Sequence, residues 1–253
     1  MTDGSGSDKS IAAHQRLIVA LDLASPREAR ELVLSLGDAV SFYKVGLELF
    51  LAAGWPLVDW LVARGNQVFL DLKLFDVPAT VRSAVRQLTG RGIRFTTVHG
   101  NDAMLQAACE VKEDLQVLAV TVLTSLDRGD LEDLGFSCDP ERLVLSRARR
   151  ALSLGCDGVV SSGLEAAALR ADIGDRLLIV TPGIRPVDNR PQDDQKRVVS
   201  VEDAFRSGAD YIVVGRPIRN APHPRQAALG IQETIARIFA GRGPLASNQG
   251  QKL

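Results

Sequence analysis

The sequence predicts a single-domain (β/α)₈ barrel, the TIM-barrel class, on the basis of three observations. The chain has 253 residues, a length that suits one large barrel. Short apolar runs alternate with longer amphipathic stretches, which is the pattern of repeated βα units. Several runs are continuous in Val, Ile and Leu, as expected of parallel strands covered by helices on both faces. The eight predicted strands are 17–22, 42–47, 68–73, 95–99, 117–124, 158–161, 177–181 and 211–214.

The stretches between these runs carry helix signals. Segment 25–28, Ser-Pro-Arg-Glu, offers a capping serine, a proline for the first turn and a glutamate that completes a capping box. Asp139 before Pro140 and the segment 200–203 indicate two further helix starts in the same way. An open doubly wound sheet is the alternative fold. No glycine-rich G-x-G-x-x-G turn follows the first strand, and its absence favours the barrel.

Composition excludes several classes of function. Thirty basic and 31 acidic residues leave a net charge of −1, which lacks the basic excess of a nucleic-acid-binding protein. No apolar run reaches the ~18 residues of a membrane span. Three cysteines without metal-ligand or C-x-x-C spacing predict neither a disulfide framework nor a metal site, and they suit a reducing cytoplasm. The polar segments 1–14 and 241–253 are expected to be disordered extensions of a catalytic domain at 15–240.

Charged residues cluster at the ends of the first three predicted strands. Asp22 ends the first, Lys44 lies on the second, and Asp71, Lys73 and Asp76 follow on the third. On an extended strand Asp71 and Lys73 point to the same face, whereas Asp76 belongs to the next loop. The carboxyl ends of barrel strands form the face where chemistry occurs, so these charges predict an active site. The alternative is a set of ion pairs that plugs the barrel, but an apolar plug would avoid the desolvation cost.

The segment after the seventh strand predicts a phosphate site. Residues 185–197 are polar and proline-broken, and the loops after strands seven and eight of this fold often bind phosphate. Gly215 lets a phosphate approach the backbone closely, and the Arg216 guanidinium can donate two charge-assisted hydrogen bonds to it. We expect Arg185 to anchor this loop and Gln195, which lies within it, to close over the phosphate. A disordered surface loop is the alternative.

Six segments, in order, resemble the motifs of the orotidine 5′-phosphate decarboxylase family in its bacterial form. The resemblance runs from about residue 17 to residue 224. It departs at Ala79, where the family commonly has Asn, and at Asn101 and Asp102, where it commonly has two glycines. The segments are LD at 21–22, YKVG at 43–46, DLKLFDVP at 71–78, TVLTS at 121–125, TPGIR at 181–185 and VGRPI at 214–218.

The resemblance implies decarboxylation of orotidine 5′-monophosphate to uridine 5′-monophosphate, the last step of de novo pyrimidine nucleotide synthesis, without cofactor or metal. It implies that Lys73 stabilises and protonates a carbanion-like ring carbon and that Asp71 lies against the departing carboxylate. Lys44 and Asp76 would complete the charge array.

The resemblance also assigns binding roles. Asp22 and Lys44 would bind the ribose hydroxyls, and Thr124 would read the pyrimidine edge. Asp76 and Thr80 would enter the site of a neighbouring subunit, so the working unit would be a homodimer.

Two other functions stay open at this point. Related barrels use D-x-K-x-x-D to hold magnesium in sugar-phosphate lyases. A catalytically silent regulator that binds a nucleotide on the same barrel is the second alternative. The complete charged set favours the decarboxylase over this regulator, since a binder has no evident need for a lysine facing two aspartates.

Overall fold

A computed structural model of the chain describes residues 9–185 and 198–240. Eight parallel strands close into a barrel in sequence order, and the last strand pairs with the first. This topology confirms the predicted barrel over the open sheet. The strands are β1 Leu17–Ala20, β2 Phe42–Gly46, β3 Gln67–Leu74, β4 Ile93–His99, β5 Gln116–Val120, β6 Gly158–Val160, β7 Leu178–Thr181 and β8 Tyr211–Val214.

The carboxyl ends of the strands differ from the prediction by two residues at β1, by four at β5 and by one at β2, β3 and β6. Strand β1 ends at Ala20, so Asp22 lies in the loop that follows it. Strand β5 ends at Val120 and not at the predicted residue 124. Thr124 therefore lies in a loop, because the apolar run continues past the last residue that pairs with β6.

Helices follow the strands and cover the outside of the barrel. Ser25 Oγ accepts a hydrogen bond from Glu28 N at 3.3 Å, and Ser200 Oγ accepts one from Asp203 N at 3.0 Å. Both predicted serine caps are thus present. The helix after Asp139 begins at Pro140 as predicted, but its N-cap residue Asp139 makes no side-chain cap hydrogen bond. No helix in the described ranges combines the length and apolar character of a membrane span. The α-helices are α1 Pro26–Leu36, α2 Leu47–Ala53, α3 Trp55–Ala63, α4 Pro78–Arg86, α5 Asp102–Cys109, α6 Arg128–Asp133, α7 Pro140–Ser153, α8 Ala166–Ile173, α9 Val201–Arg206, α10 Arg216–Arg219 and α11 Pro224–Phe239.

Aromatic side chains fill the lower part of the barrel interior. The rings of Phe42 and Phe95 lie 5.3 Å apart between centroids, as do those of Phe95 and Tyr211. Phe69 packs edge-on against Phe95 at 5.9 Å. Side chains on a strand alternate in direction, so the residues two positions further along face inward one layer higher. That layer includes Lys44, directly above the aromatic plug.

The amino-terminal face of the barrel is closed by a buried charge cluster around Asp210. Its Oδ2 atom accepts from Arg170 Nη2 at 2.5 Å, from Lys9 Nζ at 2.9 Å and from Ile179 N at 2.8 Å. Arg16 Nη1 donates to the Asp210 carbonyl at 3.1 Å. Ordered packing thus extends to Lys9, six residues before the predicted domain start at residue 15. The physical reason is the fully buried Asp210 carboxylate, which the Lys9 ammonium helps to neutralise.

We expect Asp210→Asn to lower the free energy of unfolding by about 3–5 kcal/mol, because the buried Arg170 would lose its buried counter-ion and keep only the half-exposed Asp175 at 3.6 Å. Urea unfolding followed by circular dichroism measures this change. Glu31→Gln is the matched control, since the Arg27–Glu31 pair is exposed to solvent, and it should leave the unfolding midpoint unchanged. Equal midpoints for Asp210→Asn and wild type would contradict the structural role assigned to the cluster.

Candidate active site

A cavity of about 520 Å³ opens at the carboxyl ends of the strands. Its base is formed by inward-facing residues of the barrel, among them Phe69, Val160 and Val213. Charged residues from the ends of β1, β2 and β3 line one side, and residues after β7 and β8 line the other. The residues predicted for catalysis and those predicted for phosphate binding therefore line the same cavity within the described part of the chain.

Four of the predicted charges form a continuous chain of opposite signs. Lys44 Nζ lies 2.8 Å from Asp22 Oδ1 and 3.5 Å from Asp71 Oδ2. Lys73 Nζ lies 2.8 Å from the same Asp71 oxygen. The order is Asp22, Lys44, Asp71, Lys73, from the loop after β1 to the end of β3. The structure thus confirms that these side chains converge.

The route by which Lys73 reaches Asp71 differs from the predicted regular alternation. Strand β3 pairs with β4 at Leu70↔Thr96 and next at Leu74↔Val98, so β3 has two extra residues in between. Lys73 adopts a positive φ of 49° in this bulge, a conformation that costs a non-glycine residue free energy. Bulges next to active sites re-aim side chains. The bulge, and not an extended strand, brings the Lys73 ammonium to Asp71.

Thr97 on β4 fixes this bulge and was missed by the sequence reasoning. Its Oγ1 accepts a hydrogen bond from Lys73 N at 2.9 Å and donates one to Asp71 Oδ1 at 2.8 Å. A signal was present in the sequence. Thr97 lies two residues after the inward-facing Phe95, just as Asp71 lies two residues after Phe69. This shared spacing indicates that the Thr97 side chain also faces inward.

The pKa values of the two buried members shift in opposite directions. Burial would raise the pKa of Asp71, but Lys44, Lys73 and the Thr97 hydroxyl outweigh burial and hold it below its ordinary value. Burial would lower the pKa of Lys44, but Asp71 and Asp22 raise it above its ordinary value. Each charge thus keeps the other ionised at neutral pH.

Gly46, within the YKVG motif, leaves room for this array. A Cβ atom at Gly46 would lie 3.1 Å from both Asp22 Oδ1 and Lys44 Nζ. That distance is tighter than ordinary van der Waals contact. A glycine here lets the ion pair approach the backbone of β2.

The predicted phosphate-binding residues line the opposite side of the cavity where the structure describes them. Gly183 and Arg185 follow β7, and Gly215 and Arg216 follow β8. Arg185 is half-buried, and its Nη1 donates to the Ile184 carbonyl at 2.9 Å. Gln195 lies outside the described residues. Thr124 is buried and lines the cavity from the loop after β5.

Arg219 is a second residue that the sequence reasoning missed and, unlike Thr97, it lines the cavity. It donates a hydrogen bond to the Asp22 carbonyl oxygen. Its position three residues after Arg216, on the same short helix α10, was the available signal, since such positions share a helix face. Arg219 joins the loop after β1 to the helix after β8.

Asp76 and Thr80 do not line this cavity. Both are exposed, and Asp76 Oδ1 accepts a hydrogen bond from Val77 N at 2.6 Å. Asp76 is flanked by Phe75 and Val77, whose exposed fractions are 64% and 62%. The charge array within one chain therefore has four members and not the five that the sequence grouped together.

Comparisons with known proteins agree on one family. Residues 15–231 match the model of the orotidine 5′-phosphate decarboxylase / HUMPS family. The orotidine 5′-phosphate decarboxylase of Methylococcus capsulatus is 63% identical over 235 residues, which cover 92% of this chain and 97% of the relative. That of Nitrobacter winogradskyi is 49% identical over 91% of this chain and 97% of the relative.

A solved structure shows the same fold. The crystal structure of orotidine 5′-phosphate decarboxylase from Lactobacillus acidophilus superposes with a TM-score of 0.78 at 36% sequence identity. The superposition covers 87% of this chain and 99% of that one.

We expect Asp71→Asn to lower the pKa of Lys44, because Asp71 is the strongest influence that opposes the effect of burial on this ammonium. NMR titration of isotopically labelled lysine side chains measures the change. Glu31→Gln is the matched control and should leave the Lys44 titration unchanged, since Glu31 is exposed on α1 and does not line the cavity. An unaltered Lys44 pKa in Asp71→Asn would show that the two groups are not electrostatically coupled.

Proposed function

The chain belongs to the orotidine 5′-phosphate decarboxylase / HUMPS family, and from this premise we propose its function and mechanism. It is a carboxy-lyase that converts orotidine 5′-monophosphate to uridine 5′-monophosphate and CO₂ in pyrimidine nucleotide synthesis. The observation that carries this function is the alternating chain Asp22, Lys44, Asp71, Lys73 at one side of the cavity. Its members occupy the motif positions through which the sequence resembles the family.

Lys73 is the catalytic acid in this mechanism. When the bond between the ring carbon and the carboxylate breaks, its electron pair stays on the carbon and CO₂ leaves. A nearby ammonium stabilises that developing charge and then transfers a proton to the carbon, which leaves a neutral amine. The side chain of Lys73 is 40% exposed towards the cavity mouth, whereas that of Lys44 is 11% exposed. Lys73 is therefore the ammonium available to substrate, and it needs no cofactor for this step.

Asp71 and Lys44 hold the acid in position. Asp71 accepts hydrogen bonds from Lys73 and Thr97 and forms an ion pair with Lys44, so its carboxylate is fixed before substrate arrives. Fixed charges stabilise a transition state without reorganising during the reaction. Asp71 also lies where a substrate carboxylate would be repelled. We favour transition-state stabilisation as the larger contribution, because the array is complete without the substrate.

The same cavity supplies the binding contacts. Asp22 and Lys44 bind the ribose hydroxyls and Thr124 hydrogen-bonds the pyrimidine edge. Arg185, Gly215 and Arg216, with Gln195, bind the phosphate. The volume of about 520 Å³ lies within the range of small-molecule sites. Arg219 adds a further guanidinium on the phosphate side.

We place Asp76 and Thr80 in the cavity of a partner subunit, so that the enzyme works as a homodimer. Two features support this placement. Neither residue lines the cavity of its own chain, although Asp76 belongs to the D-x-K-x-x-D motif. Phe75 and Val77 expose apolar surface on either side of Asp76, which is the character of a surface that another subunit covers. A cytoplasmic location stays a prediction.

A magnesium-dependent sugar-phosphate lyase is the second candidate, and the donor set of the site disfavours it. Magnesium requires about six oxygen ligands in octahedral geometry. The Asp71 oxygen that faces the cavity already contacts two ammonium groups, and a divalent cation placed there would be repelled by both. The silent regulator is disfavoured because binding alone gives no reason to bury these charges.

We expect Lys73→Ala to lower kcat for orotidine 5′-monophosphate by at least about 10³-fold, because one ammonium supplies both charge stabilisation and the proton. The affinity for uridine 5′-monophosphate should change far less. The assay follows substrate absorbance in protein treated exhaustively with EDTA, and product affinity is measured by calorimetry. Lys112→Ala, on the opposite face of the barrel, is the matched control and should keep full activity. Equal rates for wild type and Lys73→Ala would remove Lys73 from the mechanism, and loss of wild-type activity in EDTA would favour the magnesium-dependent lyase.

The dimer proposal predicts that two inactive variants restore each other. A hybrid of Lys73→Ala and Asp76→Ala subunits contains one site in which both residues are intact. Random pairing of equal amounts should therefore recover about a quarter of wild-type activity. The mixture is dissociated, reassociated and assayed, with each variant alone as its control. If the mixture is no more active than the variants alone while hybrids form, Asp76 acts within its own subunit.

A further inference from the structure

Two cysteines contact each other at the amino-terminal face of the barrel. Cys109 is the last residue of α5, and Cys156 lies two residues before β6 begins at Gly158. Their Sγ atoms are 3.5 Å apart, although 47 positions separate them in the sequence. The opposite end of β6, at Val160, lines the catalytic cavity. The pair is therefore remote from the active site, and nothing in the proposed mechanism uses it.

The geometry permits a covalent bond with little rearrangement. A disulfide has an S–S distance of about 2.05 Å, so the two sulfurs must approach by about 1.5 Å in total. Both cysteines lie at the ends of structural elements. The backbone N–H of Cys156 donates to the Ala151 carbonyl at 3.0 Å and takes no part in strand pairing. A small shift of either residue leaves the barrel hydrogen bonds in place.

The two thiols have different surroundings. Cys109 is half-buried, whereas Cys156 is 6% exposed. The hydrogen bond with Cys156 lowers the pKa of Cys109 against the effect of burial, and the Lys112 ammonium lowers it further. The same hydrogen bond, together with burial, raises the pKa of Cys156. Cys109 is thus the thiol that ionises first.

Lys112 also holds the segment that carries Cys156. Its Nζ donates to the Gly155 carbonyl and to Asp157 Oδ2, both at 2.7 Å. Asp157 Oδ2 in turn accepts from Val117 N at 2.8 Å. The residues on either side of Cys156 are therefore fixed to Lys112 and to the start of β5. This arrangement keeps the buried sulfur next to Cys109.

We propose that Cys109 and Cys156 are a modification site, a dithiol that a peroxide oxidises to a reversible disulfide. In the first step the Cys109 thiolate attacks one peroxide oxygen and the O–O bond breaks. Cys109 becomes a sulfenic acid, and the other oxygen leaves as water after taking a proton. In the second step the Cys156 sulfur attacks the Cys109 sulfur and the S–O bond breaks. The departing hydroxide takes the Cys156 proton as water. Two thiols are oxidised and one peroxide is reduced to two waters.

Cys138 provides an internal control. It is a third free cysteine of intermediate exposure, and it lies before α7. A reaction that depends only on exposure would modify Cys138 as readily as Cys109. A reaction that depends on the paired geometry would leave Cys138 as a thiol.

The test exposes the folded wild-type protein to hydrogen peroxide, then denatures it and alkylates the remaining thiols. Peptide mass spectrometry should find a Cys109–Cys156 link, with Cys138 alkylated, and dithiothreitol should remove the link. The variant Cys138→Ser should form the same link. In Cys156→Ser, dimedone should trap a sulfenic acid on Cys109.

Either of two results in folded wild type would overturn the proposal. One is alkylation of Cys109 and Cys156 at the peroxide dose that oxidises Cys138. The other is sulfinic acid on Cys109 without a link to Cys156. Because both results come from the wild-type chain, the test holds even if Cys156→Ser fails to fold.

Discussion

The Asp71 carboxylate shared between Lys44 and Lys73 is the interaction on which the active site depends. Burial alone would favour its protonation, and the two ammonium groups with the Thr97 hydroxyl reverse that preference. Lys44 depends on Asp71 in return, because burial alone would favour its neutral form. Removal of Lys44 would leave Asp71 with Lys73 alone, and removal of Asp71 would leave Lys44 with Asp22 alone. Either change weakens the compensation of a largely buried charge, which is costly. The four charges therefore stabilise one another, and a substrate binds against the complete array.

The barrel meets this requirement with a few specific backbone features. Strand alternation places Lys44 and Asp71 one layer above the aromatic plug, so that both face the cavity above an apolar floor. The bulge in β3 turns Lys73 towards Asp71 at the cost of a positive φ, and Thr97 holds it there. Gly46 leaves space beside the Asp22–Lys44 pair. Backbone strain is thus located where the chemistry needs it.

The two faces of the barrel carry different functions. The carboxyl ends of the strands hold the charged cavity. The amino-terminal face holds the Asp210 cluster and the cysteine pair, which join elements distant in sequence. The two faces of the barrel are built from different loops. An oxidisable dithiol at the amino-terminal face is therefore compatible with a catalytic array at the carboxyl face.

The sequence by itself determined the eight strands, two of the helix caps and the end of the barrel at which charges gather, because these depend on local periodicity and capping. It also placed Asp22, Lys44, Asp71 and Lys73 together, since the carboxyl ends of parallel strands meet at one face. Tertiary structure alone decided the bulge at Lys73, the contacts of Thr97 and Arg219, the packing of Lys9 on Asp210 and the approach of Cys109 to Cys156. Each of these depends on strand register or on contacts between residues far apart in the chain, and local sequence patterns do not encode such distances.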